Sequence, residues 1–251
     1  MKKRIMFTTA IALVCVMVFG SISVFAQGQG LGDLEREMRE RDALLAQCPE
    51  HNALVAQREA EFQEFLRQDA MNRRNRSFIF NTLNIPVFQQ EHGNWCGPAT
   101  ARQVIHFRNG HAPSQADLAR LIRTHDRGSD VHYVGLAVNA HTGMGYVGRH
   151  MSHNRNGWVD QIRFSIDARR PALITIDTTR VAAFPYNSPG HIVNVSGYDL
   201  YFSQWDFNWT GAIRITDPFG PGLGNRWYSI NDLFNAHVTH RVYPFAGRAS
   251  W

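Results

Sequence analysis

The sequence predicts an α+β fold, with helices from its first half packed against an antiparallel sheet drawn from its second. Two observations carry this. Helical composition, apolar periodicity and capping signals occupy residues 31–70 and 99–122, whereas apolar stretches bounded by turn residues are confined to the region after residue 170. The length of 251 residues suits one domain plus an accessory segment, and 44% hydrophobic with 12% aromatic content excludes a disordered chain.

Residues 1–26 read as a secretory signal. Lys2-Lys3-Arg4 opens it, Ile5 to Phe19 supplies the apolar stretch, and Val24-Phe25-Ala26 offers small residues for cleavage. An uncleaved anchor is the rival reading, because the apolar run approaches a bilayer's span. Gly20, Ser21 and Ser23 interrupt that run before Ala26 and favour cleavage. The expectation is therefore a secreted, periplasmic or cell-surface protein with no membrane contact once the signal is gone. The formal charge is +5, and removing the three leader charges leaves +2, too weak an excess to argue for a nucleic-acid partner.

Residues 27–76 form a helical segment. Leu31, Leu34, Met38 and Leu45, then Val55, Phe62 and Leu66, recur at the spacing of an amphipathic stripe, and Pro49 divides the run into two helices. A removable pro-segment, a tether, a self-associating helix and a hairpin packed on the domain are all consistent with this pattern. Arg73-Arg74-Asn75-Arg76 is a basic linker.

A compact domain is expected over 77–251. Ala99 to Phe107 is helical and ends near Asn109-Gly110. Ser114-Gln115-Ala116-Asp117 resembles a capping box opening a second helix, and Trp158 to Ala168 reads as a third. Ala172 to Asp177, Ile192 to Tyr198 and Ala212 to Thr216 read as strands, separated by turn signals such as Ser188-Pro189-Gly190 and Asp217-Pro218-Phe219-Gly220.

The candidate chemistry centres on Cys96. Pro98 is tolerated in the first turn of a helix, which places the thiol at a helix start where open N–H groups and the dipole favour the thiolate. Gly97 leaves room for a substrate beside the sulfur. Gln90, six residues before, can aim a side-chain amide at the oxyanion of an attacked carbonyl, alongside the Cys96 N–H; Gln89 competes for that role. His191, beside Gly190 at a strand entrance, is the candidate base. Asp217, at the end of the next strand, can orient the imidazole, although Asp-Pro also commonly begins a turn. With Cys15 in the leader, Cys48 and Cys96 are the two remaining cysteines. A disulfide between them is the ordinary outcome in an oxidising compartment and would make Cys96 structural.

Gln90 with Cys96-Gly97-Pro98-Ala99, Gly190-His191-Ile192-Val193 through Gly197-Tyr198-Asp199, and Ile215-Thr216-Asp217-Pro218-Phe219-Gly220 together resemble the papain-fold peptidases of the bacteriocin-processing, double-glycine-leader type. The similarity runs over roughly residues 85–240. It implies a papain-like cysteine peptidase acting on a peptide or protein without a cofactor. In that resemblance Cys96 is the nucleophile, His191 the general base and later acid, Asp217 the orienting residue and Gln90 the oxyanion donor. Transporter-fused members trim leader peptides, but nothing here resembles their transmembrane helices or ATPase, so the substrate is left open between peptide, isopeptide and cell-wall cross-link. Amidase and transpeptidase relatives share the fold.

Two other readings compete. His141, His150 and His153 lie close in sequence, but no cysteine pair or HExxH pattern completes a zinc set, and no metal is expected. A binding module that keeps the fold without turnover would be favoured by a replaced triad position, and none is replaced.

Overall fold

The structure, a computed structural model, describes residues 31–72, 77–239 and 248–251. The signal at 1–26 and the basic Arg73–Arg76 linker lie outside these described residues. Helices α1 (Leu31–Ala46) and α2 (Pro49–Asn72) come first, and Pro49 opens α2 where its missing N–H costs nothing. The short strand β1 (Phe78–Thr82) leads to α3 (Cys96–Asn109), α4 (Gln115–Ile122) and α5 (Val131–Thr142). Then follow β2 (Gly148–His150), α6 (Arg155–Asp167), β3 (Ala172–Ile176), β4 (His191–Ser203), β5 (Asn208–Thr216), β6 (Asn225–Ser229), α7 (Ile230–Val238) and β7 (Arg248–Ser250). The Ser114 side chain caps α4 by accepting from the Asp117 N–H. Helix α6 begins three residues before Trp158, because Asn154 accepts from the N–H groups of Asn156 and Gly157 and so sets its start.

The strands form one antiparallel sheet in the order β2-β7-β3-β4-β5-β6, with β1 also on β4. Strand β4 changes partner along its length. Its first half pairs with β3, from Ile176↔His191 to Ala172↔Val195, and its second half with β1, from Thr82↔Gly197 to Phe78↔Tyr201. The register to β5 shifts between Val195 and Gly197, the mark of a β-bulge. The extra residue lets Val193 and Val195 before it, and Tyr198, Leu200 and Phe202 after it, all reach the same core. Glycine is required at 197, where a Cβ would stand 2.8 Å from the Asn81 carbonyl oxygen.

Two cores flank the sheet. One, around Trp158, Ile162, Ile174, Val193, Ile213 and Leu233, gathers residues of α6 and α7 with one face of the strands. The other joins Val104, Leu118, Val134 and Val138 of α3, α4 and α5 to Leu173 and Ile192 on the opposite face of β3 and β4. The first half of β4 is therefore buried on both sides, whereas beyond the bulge Phe80, Tyr201 and Trp227 stay exposed.

The α1–α2 hairpin packs against this body. Arg163 of α6 reaches Asp69 of α2 at 2.6 Å and Asp160 at 3.0 Å, while Arg248 of β7 bridges Asp42 of α1 at 2.6 Å and Asp130 at 2.5 Å. Arg149 pairs with Glu59, and Arg58 donates to the carbonyl oxygens of Met144 and Gly145, both at 2.9 Å. Between these polar contacts Phe62 sits edge-on to Phe164 and Trp251, with ring centroids 5.4 and 5.5 Å away. No disulfide joins Cys48, in the turn between the two helices, to Cys96.

Candidate active site

Cys96 is the first residue of α3, and the preceding Trp95 makes no side-chain cap. The first-turn N–H groups are thus left to whatever approaches the thiol. Residues 96, 100 and 103 fall at i, i+4 and i+7, on one face of the helix. Thr100 and Gln103 use that face to fasten α3 to the strand that begins with His191. The Thr100 hydroxyl donates to the Ile192 carbonyl at 3.0 Å, and the Asn194 amide donates to Gln103 Oε1 at 2.7 Å and to the Thr100 carbonyl at 3.2 Å. Gln103 in turn donates to the Phe88 carbonyl at 3.0 Å, tying in the loop that carries Gln90. Asn194, Gln103 and Thr100 are all fully buried. Gly97 has a different purpose from the one its position suggests: a Cβ there would lie 2.5 Å from Ser129 Oγ, so the glycine serves close packing of the helix start against the segment before α5.

His191 and Asp217 are brought together by the β4–β5 register and form a buried pair, Nε2 to Oδ1 at 2.8 Å. Nδ1 is then the ring nitrogen left for Cys96, whose sulfur interacts with the imidazole. Burial alone would push this histidine down, but the charge and hydrogen bond of Asp217, with Cys96 beside them, raise it to about 10. For Asp217 the signs reverse. Burial would raise its carboxyl, and His191, the Tyr186 hydroxyl and the Phe219 N–H together hold it below the usual carboxylate range. The Phe219 N–H donates to Oδ1 at 2.8 Å and the Tyr186 hydroxyl to Oδ2 at 2.5 Å.

Gln90 sits in the loop before Cys96, where its own N–H donates to the Pro218 carbonyl at 2.8 Å and so ties it to the Asp217 turn. Its side-chain amide donates to the carbonyl oxygens of His92 at 3.0 Å and Gly93 at 2.9 Å. Gln89 is exposed, and its carbonyl accepts from Gln115, which also receives the Glu91 N–H and thereby clamps the loop to the start of α4. The sequence reading did not single out Tyr186, Thr100, Gln103 or Asn194 for the site. The 96/100/103 spacing on a helix was a signal that could have found two of them; Tyr186 carries no local one.

Among the described residues, Asp42, Asp130 and His132 offer atoms within 4.8 Å of one another, the one group of three metal-ligand types. The Arg248 guanidinium already bridges its two carboxylates, so their charge is met by protein. His141, His150 and His153 join no such group.

A cysteine at an open helix N-terminus, with a buried imidazole–carboxylate pair beside it, can act as a nucleophile with its base and orienter. The chain belongs to the peptidase C39-like family, whose model matches residues 82–245. Helices laid against an antiparallel sheet are the papain-like arrangement expected of that family. No match was found among the curated proteins. Solved structures with a similar outline include a double glycine motif protease from an AMS/PCAT transporter in complex with the leader peptide. It is 14% identical, with a TM-score of 0.42, over 68% of this chain and 91% of that one. Another is the peptidase domain of Streptococcus ComA, a bifunctional ABC transporter involved in a quorum sensing pathway. It is 17% identical, with a TM-score of 0.40, over 67% of this chain and 97% of that one.

Proposed function

We propose that this chain is an exported cysteine peptidase that hydrolyses an amide bond of a peptide or protein substrate. The observation that carries the reading is the buried His191–Asp217 pair, 2.8 Å apart, beside the thiol at the start of α3. Cys96 gives its proton to His191, and the sulfur attacks the scissile carbonyl carbon. The carbonyl π electrons move onto oxygen, which the Cys96 N–H and the Gln90 amide receive as an oxyanion. Gln90 serves this role after exchanging one of its bonds to the His92 and Gly93 carbonyl oxygens for the oxyanion. As the oxyanion collapses, the C–N bond breaks and His191 returns its proton to the leaving amine, leaving a thioester on Cys96. His191 then deprotonates a water, which attacks the thioester and releases the acid and the thiol.

Residues 1–26 deliver the enzyme out of the cytoplasm in this reading, and the absence of a disulfide on Cys96 is consistent with a working thiol. The test is Cys96→Ala, assayed against a peptide library with a muropeptide digest alongside. Turnover should disappear while the thermal unfolding midpoint stays put; retained turnover in the variant refutes the assignment. Cleavage of muropeptides and of no peptide would move the reading to a cell-wall amidase on the same fold.

A further inference from the structure

Tyr186 stands five residues before His191, in the loop between β3 and β4, and it meets the site from three sides. Its hydroxyl donates to Asp217 Oδ2 at 2.5 Å. Its ring stacks on Phe219 with centroids 4.2 Å apart and planes 9° from parallel, and both rings stand edge-on to the imidazole, at 5.6 and 5.5 Å. The loop itself fixes this placement. The Thr178 hydroxyl donates to the Tyr186 carbonyl at 2.8 Å and accepts from the Ser188 N–H at 2.8 Å, while buried Phe184 stacks on Tyr228 at 4.3 Å. The tyrosine therefore reaches Asp217 from a frame that does not depend on Asp217.

Asp217 needs such a partner. A carboxylate turns about its Cβ–Cγ bond, and Oδ1 is already shared between His191 and the Phe219 N–H. Oδ2 is buried with the Tyr186 hydroxyl as its donor. A buried oxygen left without a donor would cost its full desolvation and would pull the carboxylate away from the imidazole. Burial first, then the charge and hydrogen bond of Asp217, raise the phenol well above its ordinary value, so it remains a donor across the working range.

We infer that Tyr186 is a positioning residue: its hydroxyl locks Asp217 so that Oδ1 stays on His191 Nε2, and its stack with Phe219 walls that bond from water. The inference rests on the peptidase reading and deepens it. The site's third group is thereby a Tyr–Asp unit, of which the sequence pattern exposes only the aspartate.

The experiment measures alkylation of Cys96 by iodoacetamide as a function of pH on the folded chain, with the modified residue mapped by mass spectrometry. Wild-type Cys96 should react at pH 7 much faster than Cys48, with the inflection reporting His191 deprotonation near 10. Tyr186→Phe keeps the stack but loses the hydroxyl's hold on Asp217, and should move that inflection to lower pH by about one pH unit, which a purely structural role would not do. A Tyr186→Phe profile superimposable on wild type overturns the inference and leaves the peptidase reading standing. Wild-type Cys96 reacting no faster than Cys48 overturns both. Proton NMR of the unmodified protein covers the case of a variant that does not fold: the His191 Nε2–H should give a downfield resonance protected from exchange at pH 7, and rapid exchange with water overturns the inference.

Discussion

Two seams hold this molecule together, and they are built from different chemistry. The seam between α3 and β4, which sets Cys96 beside His191, is made of neutral amides, a hydroxyl and backbone carbonyls, all buried. The seam between the α1–α2 hairpin and the body is made largely of arginine–carboxylate pairs, some buried and some half-exposed. Neutral buried hydrogen bonds respond weakly to salt and pH, whereas charge pairs at a surface are screened within about 10 Å at 0.1 M salt. Attachment of the hairpin is thus open to tuning by the medium, and the geometry of the thiol–imidazole pair is insulated from it.

The contrast can be broken at three points. Arg163→Met removes the guanidinium from two largely buried carboxylates, Asp69 and Asp160. Breaking a buried pair by removing one partner costs about 3–5 kcal/mol. A chemical denaturation series should show that loss, with the rate per folded molecule unchanged. Asn194→Leu strikes the other seam, leaving Gln103 Oε1 without this donor and the Thr100 carbonyl with only its helical bond. It should cost about 1–3 kcal/mol and also lower turnover steeply, since a misplacement of about 1 Å near a reacting pair is worth up to roughly a hundredfold. If Asn194→Leu loses stability but keeps its rate, the insulation argument is wrong. The smallest effect belongs to Glu59→Gln, at the half-exposed Glu59–Arg149 pair. Less than about 1 kcal/mol is expected there, and the difference from wild type should vanish in 1 M salt.

Much of this was legible in the sequence wherever a local rule decides the structure. Pro49, the Ser114 cap and the Cys96-Gly97-Pro98 helix start gave their elements directly, because each acts on neighbours in the chain. Helix α5 is not legible in the sequence for a physical reason: it is buried nearly all round and shows no amphipathic stripe. Its Gly135, which reads as a helix breaker, is there because a Cβ would lie 2.6 Å from Ser250 Oγ on β7. Strand β7 is three residues long and gains its place from β2 and β3 on either side and from side-chain contacts to α1 and α5, all distant in sequence. The start of α7 carries a local signal: Ser229 caps it by accepting from the Asp232 N–H while donating to that carboxylate. In the site, His191 and Asp217 stood out through their strand-end positions, whereas Tyr186 finds its partner 31 residues away and no pattern of neighbours announces it.

The bulge in β4 has a consequence for anyone tracing this site into more distant chains. The alternation toward the core around Trp158 drops one beat at Ser196, so the positions of β4 that face that core are odd-numbered before it and even-numbered after it. An alignment driven by the apolar rhythm of the longer second half and carried back without a gap would arrive at the strand entrance one residue out of step. It would set Gly190 or Ile192 against the position of the buried His191, and a relative that keeps this histidine would be scored as having lost it.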